Sequence, residues 1–189
     1  YYPIYLDIRD KPCVVIGGGD VAERKVLSLL NAGAKVTVVS PEVTDILKGI
    51  SRDGRIEIKE RPYKEGDLKS AFMAYAATDN EDINYKISEE ARKRGVLLNV
   101  VDEPEMCDFI VPSVVERGLL SIAISTGGAS PAFAKRLRLE MEEMYGEEYA
   151  LFLEIMAAIR QKLLTKEPEG AKKRKFFNKL ASSSIPEMI

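Results

Sequence analysis

The sequence predicts an α/β fold in which a Rossmann-type parallel sheet is followed by a small β-hairpin and helix segment and then by a C-terminal helical segment. Short β-rich runs alternate with helical patterns over the first hundred or so residues, as in parallel sheets with crossover helices. A glycine-rich turn joins the first run to the first helical pattern. The 189 residues, 46% of them hydrophobic, suffice for one ordinary domain with a smaller appendage.

Five strands are expected in the first part of the chain, and the third is expected near an edge because it carries charges. Apolar residues at helical spacing indicate two helices between the strands, and Gly33 and Gly95 end these helices. The predicted strands are residues 13–16, 35–40, 56–59, 71–77 and 96–101, and the predicted helices are residues 21–31 and 82–94.

The pattern changes after the fifth strand. Two β-like runs, residues 109–115 and 119–125, are joined by Glu116-Arg117-Gly118, a hairpin signal. Ser130 as N-cap and Pro131 in the first turn mark the start of a helix. This helix is expected to reach about residue 145, and a second one covers about 147–164 before a linker at 165–170. The predicted domains are residues 1–112, 113–145 and 146–189.

Composition excludes several classes of function. Lys and Arg number 28 and Asp and Glu 30, and a net charge of −2 argues against a dedicated nucleic-acid binder. The absence of histidine excludes a Ser-His-Asp triad and any His-based zinc site, and two isolated cysteines do not form a metal-binding spacing, so no metal site is predicted. No membrane span and no signal peptide are recognised, so a cytoplasmic protein is expected.

The glycine-rich turn predicts a dinucleotide site. Residues 17–22 fit G-x-G-x-x-A between a buried strand and an amphipathic helix, which is the context that this motif requires. Gly17 permits the tight turn, Gly19 lets the backbone approach the pyrophosphate, and Ala22 permits close helix–strand packing. The N-terminus of the helix offers free N–H groups to the phosphates. The alternative is a glycine-rich turn that binds nothing.

The ends of the second and fourth strands are expected to line the same cofactor. Ser40 occupies the position where an acidic residue usually holds the ribose, Pro41 and Glu42 follow, and no Arg stands directly after them to hold a 2′-phosphate, which favours NAD. Ala77 and Thr78 follow the fourth strand and should lie along the cofactor, although Thr78 could also cap the next helix.

Two further features lie beyond the cofactor motif. Asp102 ends the fifth strand at the rim that carries the glycines, where a functional side chain is expected. In a chain without histidine, acid–base work must fall to Asp, Glu, Lys, Tyr, Cys or the cofactor. The alternative is that Asp102 only turns the chain. A second anion site is expected where an apolar strand leads into a Ser-Pro helix start. Its candidate residues are Ser125, Gly127, Gly128 and Ser130.

Together these motifs resemble the precorrin-2 dehydrogenases of sirohaem synthesis, which also form the N-terminal part of sirohaem synthase. The resemblance covers about residues 2–160, and the order of the motifs makes it specific. It rests on Gly17-Gly18-Gly19-Asp20-Val21-Ala22-Glu23-Arg24-Lys25, Ala77-Thr78-Asp79, Asn99-Val100-Val101-Asp102, Phe109-Ile110-Val111-Pro112-Ser113 and Ser125-Thr126-Gly127-Gly128-Ala129-Ser130-Pro131.

The resemblance implies NAD-dependent oxidation of precorrin-2 to sirohydrochlorin by a homodimer built through the segment after the Rossmann domain. It places the catalytic aspartate at Asp102, and its dinucleotide contacts include Asp20, Val21, Pro41 and Glu42. This role is consistent with a chain without histidine, in which a carboxylate at the rim is the natural general base and partial burial would raise its pKa into a useful range. The tetrapyrrole substrate is anionic, with eight carboxylates, and local cations would have to meet it. The candidates are Arg117, Lys135, Arg136 and Arg138.

Two alternatives stay open. Some members of the family also insert Fe²⁺ as a second substrate, and without histidine the iron would meet carboxylates such as Asp102 or Asp108. A non-catalytic NAD-sensing regulatory domain is the alternative from a different class. Such domains typically carry an acidic residue at the end of the second strand, and no equivalent of the block from Asp102 to Pro131 is known in them.

Overall fold

The computed structural model describes residues 1–164 and 171–183, and the chain divides into two compact units, Tyr1–Ile110 and a second that begins at Val111. The first unit contains a five-stranded parallel sheet in the order β3-β2-β1-β4-β5, which confirms the α/β class and places the third strand at an edge. The strands are β1 Pro12–Ile16, β2 Lys35–Ser40, β3 Ile56–Glu60, β4 Met73–Ala76 and β5 Leu97–Val100. The domain limits drawn at residues 112 and 145 remain predictions.

Three helices connect these strands, and a short 3-10 helix follows them. They are α1 Asp20–Asn31, α2 Asp45–Arg52, α3 Glu81–Arg94 and the 3-10 helix Pro104–Met106. The sequence analysis missed α2, which has only eight residues and buries only Leu47 and Ile50. Its start is nevertheless encoded locally, because the Thr44 hydroxyl accepts a hydrogen bond from the Leu47 amide at 3.3 Å.

The sheet is buried on both faces. Along β1, Cys13 and Val15 pack into one hydrophobic cluster with residues of α1 and α2, while Val14 and Ile16 pack into another with residues of α3. A parallel sheet covered by helices on both sides requires strands that are apolar at consecutive positions, and β1 meets this requirement.

The chain after β5 turns back along that strand. The Asp108 amide donates to the Leu98 carbonyl at 2.8 Å, and the Leu98 amide donates to the Asp108 carboxylate at 2.9 Å. Phe109 packs edge to face on Tyr75 with ring centroids 5.6 Å apart. The prediction of a strand from residue 109 was therefore wrong, because Phe109 belongs to the packing of the first unit.

The second unit begins with a hairpin of β6 Ser113–Arg117 and β7 Leu120–Ile124. Arg117 pairs with Leu120, so the turn consists of Gly118 and Leu119, with φ 56° at Gly118. The turn predicted at residues 116–118 was wrong by two residues, because Glu116 and Arg117 belong to the ladder. The helices are α4 Pro131–Met144, α5 Glu148–Leu164 and α6 Ala171–Ala181.

The start of α4 is confirmed, since the Phe133 amide donates to the Ser130 hydroxyl at 3.3 Å. The linker predicted at residues 165–170 lies outside the described residues. Within the described part of the chain, no helix has the length and apolar character needed to cross a membrane.

A buried carboxylate ties the loop between β3 and β4 to α3. Glu90 is only 3% exposed. It accepts hydrogen bonds from the Tyr63 hydroxyl, from the Gly66 amide at 3.0 Å and from the Arg94 guanidinium at 2.6 Å. Burial acts to raise the pKa of Glu90, but these hydrogen bonds outweigh it and the pKa is lowered from its ordinary value of 4.5. The ionised form therefore stabilises the fold.

Replacing Glu90 with Gln should lower the free energy of unfolding by about 1.5–3 kcal/mol at neutral pH, the range for hydrogen bonds to a charged group. Because the folded pKa lies below the unfolded one, this stabilisation is present above the unfolded pKa and is lost as the pH falls through the folded pKa. Urea unfolding of the wild type and of Glu90→Gln measures the difference in their free energies of unfolding. This difference should be present at pH 7 and smaller at pH 3.5.

The matched control is Glu89→Gln on the same helix. Glu89 pairs with Arg92 at 3.2 Å, but Arg92 is 80% exposed. An exposed pair contributes about 0–1 kcal/mol, so this variant should unfold close to the wild type. Equal stability of the Glu89 and Glu90 variants would contradict the structural role of Glu90.

Candidate functional site

The glycine turn lies where β1 and β4 come together, and Gly17 is required there. Its φ is 123°, and a Cβ on it would stand 2.1 Å from the Ala77 carbonyl oxygen. The Ala77 amide donates to the Ile16 carbonyl at 2.7 Å, which brings the chain after β4 against the turn. Strand order reverses between β1 and β4, and ligands of open α/β sheets bind at this switch point.

Gly18 allows the loop after β2 to close on the turn. A Cβ on Gly18 would stand 2.0 Å from the Glu42 carbonyl oxygen. The Thr44 amide donates to the Gly18 carbonyl at 3.0 Å, and the Thr44 hydroxyl donates to the Glu23 carboxylate at 2.6 Å. Sequence reasoning missed these two hydrogen bonds of Thr44, although Thr44 before Asp45 is a recognisable N-cap signal.

Gly19 differs from its two neighbours because the space beside it is open. No heavy atom lies within 4 Å of a Cβ built on Gly19. Gly19 is the N-cap of α1, with φ −84° and no side chain capping the helix. Asp20 is exposed and Val21 is half-buried. The space beside Gly19, at the first amides of this 12-residue helix, is therefore open and can accept a dinucleotide pyrophosphate. We call this space the pyrophosphate cradle.

At the edge formed by Ser40, Pro41 and Glu42, the Ser40 hydroxyl is hydrogen-bonded within the loop instead of being free to bind the cofactor. Ser40 is only 7% exposed, and its hydroxyl donates to the Glu42 carbonyl at 2.6 Å. The Ser40 side chain therefore shapes the loop. Pro41 and Glu42 are exposed, so the Glu42 carboxylate is the free acidic group at this edge.

Ala77 and Thr78 follow β4 beside the glycine turn, and both are half-buried. The N-cap of α3 is Asn80, whose side chain accepts from the Ile83 amide at 3.0 Å, so Thr78 is not the cap. The Thr78 hydroxyl accepts from the Asn80 amide at 3.1 Å, and its carbonyl accepts from the Asn84 side chain at 3.0 Å. These bonds fix the loop along which the cofactor was expected.

Asp102 lies in the turn after β5, at the sheet edge that carries the glycine turn. It adopts φ 63°, a left-handed conformation that Asp tolerates better than most residues. Its side chain is exposed, so the expected partial burial was wrong. The Glu103 amide donates to the Val100 carbonyl at 3.3 Å and closes the turn.

Lys25 belongs to the motif run that begins at Gly17, but the sequence analysis gave it no role. Lys25 on α1 is half-buried, and its Nζ lies 5.3 Å from the centre of the Tyr75 ring. Burial lowers the pKa of Lys25 and the nearby Arg24 lowers it further, while the charges of Asp102 and Cys107 oppose this shift. Its position three residues after Ala22, on the buried side of α1, was the available signal.

In the second unit, the loop before α4 uses most of its polar groups internally. The Gly127 amide donates to the Ser125 hydroxyl at 3.1 Å, and the Ser130 amide donates to the Thr126 hydroxyl at 3.1 Å. Gly127 and Gly128 adopt φ 61° and 90°. The loop is well defined, but the Ser125 and Ser130 hydroxyls both serve as acceptors within it.

Most of the candidate substrate cations are already paired. Arg117 lies 3.4 Å from the Glu147 carboxylate and donates to the Glu142 carbonyl at 3.4 Å. Arg136 pairs with Glu140 at 3.0 Å, and Arg138 pairs with Glu142. Lys135 is exposed, with no carboxylate at ion-pair distance among the described residues.

The structure shows no preformed metal centre in the described part of the chain. Among residues 1–164 and 171–183, no group of three or more Cys, Asp or Glu side chains is arranged to hold a metal ion. Asp108, one of the two carboxylates considered for iron, accepts from the Leu98 amide.

Comparisons with known proteins agree with this architecture. Residues 4–113 match a family described as putative NAD(P)-binding, and residues 117–144 match one described as the central part of a sirohaem biosynthesis protein. A solved structure described as SirC, precorrin-2 dehydrogenase, has a TM-score of 0.85 at 26% identity and covers 99% of this chain and 92% of its own.

Two curated relatives are named siroheme synthase. That of Methylobacillus flagellatus is 40% identical over 191 residues, covering 99% of this chain and 40% of the relative. That of Nitrosospira multiformis is 38% identical over 193 residues, covering 100% and 41%. The chain thus spans about two fifths of the length of the curated relatives it matches. Because the first family match covers more than half of the chain and the sirohaem match follows it, the chain belongs to the NAD(P)-binding family that forms the N-terminal part of siroheme synthases.

Proposed function

We propose that the protein is an NAD-dependent dehydrogenase that oxidises precorrin-2 to sirohydrochlorin. The observation that carries the proposal is the open helix N-terminus at Gly19 on the same sheet edge as Asp102. The resemblance of both units to SirC, precorrin-2 dehydrogenase, supports the substrate. The sirohaem match at residues 117–144 disfavours a non-catalytic NAD sensor, which would not need that segment.

The reaction removes two electrons and two protons from the macrocycle, as one hydride and one proton. When bound, NAD supplies the hydride acceptor. Asp102 accepts the proton, since the chain contains no histidine and its carboxylate is exposed at the rim of the site. The amides of Gly19, Asp20 and Val21 bind the pyrophosphate, and the loop of Ala77 and Thr78 positions the rest of the cofactor.

The preference for NAD over NADP comes from the end of β2. Ser40 is followed by Pro41 and Glu42, and the Glu42 side chain is exposed at this edge. A carboxylate can accept hydrogen bonds from ribose hydroxyls but repels a 2′-phosphate. Of the two polar residues expected to contact the cofactor here, Ser40 and Glu42, the Glu42 carboxylate is the one that is free to bind the ribose.

A homodimer built through the second unit completes the proposal. Several large apolar side chains of this unit are at least 43% exposed, although they lie on regular elements or beside them. A surface of this kind is typical of a protein–protein interface. These side chains are Val111, Leu119, Phe133, Leu139, Met144, Leu151 and Ile155.

Calorimetric titration should show that NAD binds at least tenfold more tightly than NADP. Gly19→Val should abolish binding of both, because its side chain would occupy the pyrophosphate cradle without touching protein atoms. The variant should keep the wild-type unfolding temperature, since Gly19 has an ordinary negative φ. Tighter binding of NADP would contradict the assignment to Glu42.

Asp102→Asn should reduce turnover of precorrin-2 by about 10² to 10⁴ while NAD binding survives, as expected for loss of a general base. Asn also tolerates the left-handed conformation of this position, so the turn should persist. Asp10→Asn is the matched control, because Asp10 is exposed with φ 60° before β1, at the other end of the sheet. Iron insertion is assayed separately. Near-normal oxidation of precorrin-2 by a folded Asp102→Asn protein would exclude Asp102 as the general base.

Light scattering at micromolar concentration should give twice the 21.1 kDa mass of one chain. Replacing Leu119, which is 64% exposed at the hairpin turn, with Glu should shift the protein toward the single-chain mass. Leu27→Glu on α1 is the control, since Leu27 is also exposed but lies in the first unit. A wild-type mass of 21.1 kDa would refute the dimer.

A further inference from the structure

Lys25 is a half-buried cation without an anionic partner. Its Nζ faces the Tyr75 ring, and no carboxylate in the described part of the chain lies within ion-pair distance of it. Two partly buried arginines of the same unit are paired instead, Arg61 with Asp67 at 2.6 Å and Arg94 with Glu90 at 2.6 Å. Lys25 therefore differs from these two arginines, whose charges are neutralised by a carboxylate.

An unpaired charge in this position is unfavourable for the protein alone. Removing an ammonium from water is unfavourable, and its attraction to an aromatic ring offsets only part of the lost hydration free energy. Burial accordingly lowers the pKa of Lys25. An anion that reaches this ammonium is attracted more strongly than by a solvated lysine, because the surrounding protein screens the charges less than water does.

The location of Lys25 indicates which anion this is. The ammonium faces Tyr75, which lies two residues before Ala77, whose carbonyl lies against the glycine turn. On its other side, Tyr75 pairs in register with Asn99 of β5, three residues before Asp102. Lys25 also stands five residues beyond Asp20 on α1, which is about 7.5 Å along the helix axis from the phosphate-binding amides. The ammonium is therefore removed from the pyrophosphate cradle and lies over β4, next to the strand that leads to Asp102.

We propose that the Lys25 ammonium binds a carboxylate of the tetrapyrrole and thereby places the macrocycle against Asp102. This rests on the proposed function, since it takes the anionic tetrapyrrole as the substrate. Lys25 supplies the local positive charge that a chain of net charge −2 needs in order to accept a polyanion. The Tyr75 ring holds the ammonium in place before the substrate arrives.

The test compares Lys25→Met, Lys25→Arg and Lys11→Met in the full chain. Lys11 is the matched control, because its Nζ also lies over a ring, 5.7 Å from the centre of Phe72, at the start of β1. Sirohydrochlorin is titrated by absorbance without NAD, NAD is titrated by calorimetry, and kcat and KM for precorrin-2 are measured.

Lys25→Met should raise the Kd for sirohydrochlorin about 10- to 100-fold, as for loss of one charge-assisted hydrogen bond. The KM for precorrin-2 should rise by a similar factor, while NAD affinity is unchanged. Lys25→Arg should retain most of the binding, and Lys11→Met all of it. The unfolding temperature of Lys25→Met should not fall, because an unpaired sheltered charge is removed.

A Kd for sirohydrochlorin within twofold of the wild type in Lys25→Met would overturn the inference, as would a loss of NAD affinity with unchanged tetrapyrrole binding. A wild type that binds sirohydrochlorin through Lys25 but does not oxidise precorrin-2 would refute the proposed function and leave the inference standing. Failure of the wild type to bind any tetrapyrrole would refute both.

Discussion

The close approach of Gly17 to the Ala77 carbonyl is the contact on which the site depends. It forms between the neighbouring strands β1 and β4, where the strand order reverses, and it requires a residue that lacks a Cβ. Two residues later, at the start of α1, no protein atom lies within 4 Å of a Cβ built on Gly19. The same contact brings the loop after β4 beside the glycine turn, so one steric constraint aligns two walls of the cofactor site.

Hydrogen bonds from residues outside the glycine motif also hold the glycine turn and the loop after β2 together. Thr44 links the loop after β2 to the Gly18 carbonyl and to Glu23, while Ser40 holds the Glu42 carbonyl. These bonds occupy the Thr44 hydroxyl and the Ser40 hydroxyl, of which sequence reasoning had offered only Ser40 to the cofactor, and the Glu42 carboxylate stays exposed. Polar side chains at a site edge therefore divide into those that shape it and those that remain free to bind.

The charged side chains of the two units differ in exposure. Asp102 is exposed in a left-handed turn, and Lys25 is half-buried against the Tyr75 ring. Within the second unit, Arg117 reaches both Glu142 on α4 and Glu147 at the start of α5, which fastens the hairpin turn to the helices. Arg117 therefore has a structural role within this unit, whereas Lys135 is exposed.

The sequence by itself determined the five parallel strands, the glycine turn and the cap at Ser130, because each follows from local periodicity or from the conformational limits of Gly, Ser and Pro. It misplaced the hairpin turn by two residues and began that strand at Phe109, because register and aromatic packing depend on distant partners such as Tyr75. Only the tertiary structure decided that the Ser40 hydroxyl is hydrogen-bonded within its loop, that Asp102 is exposed and that Lys25 is half-buried against Tyr75. Burial and side-chain contacts are properties of the folded chain, and Lys25 reaches Tyr75 only after α1 has packed on the sheet.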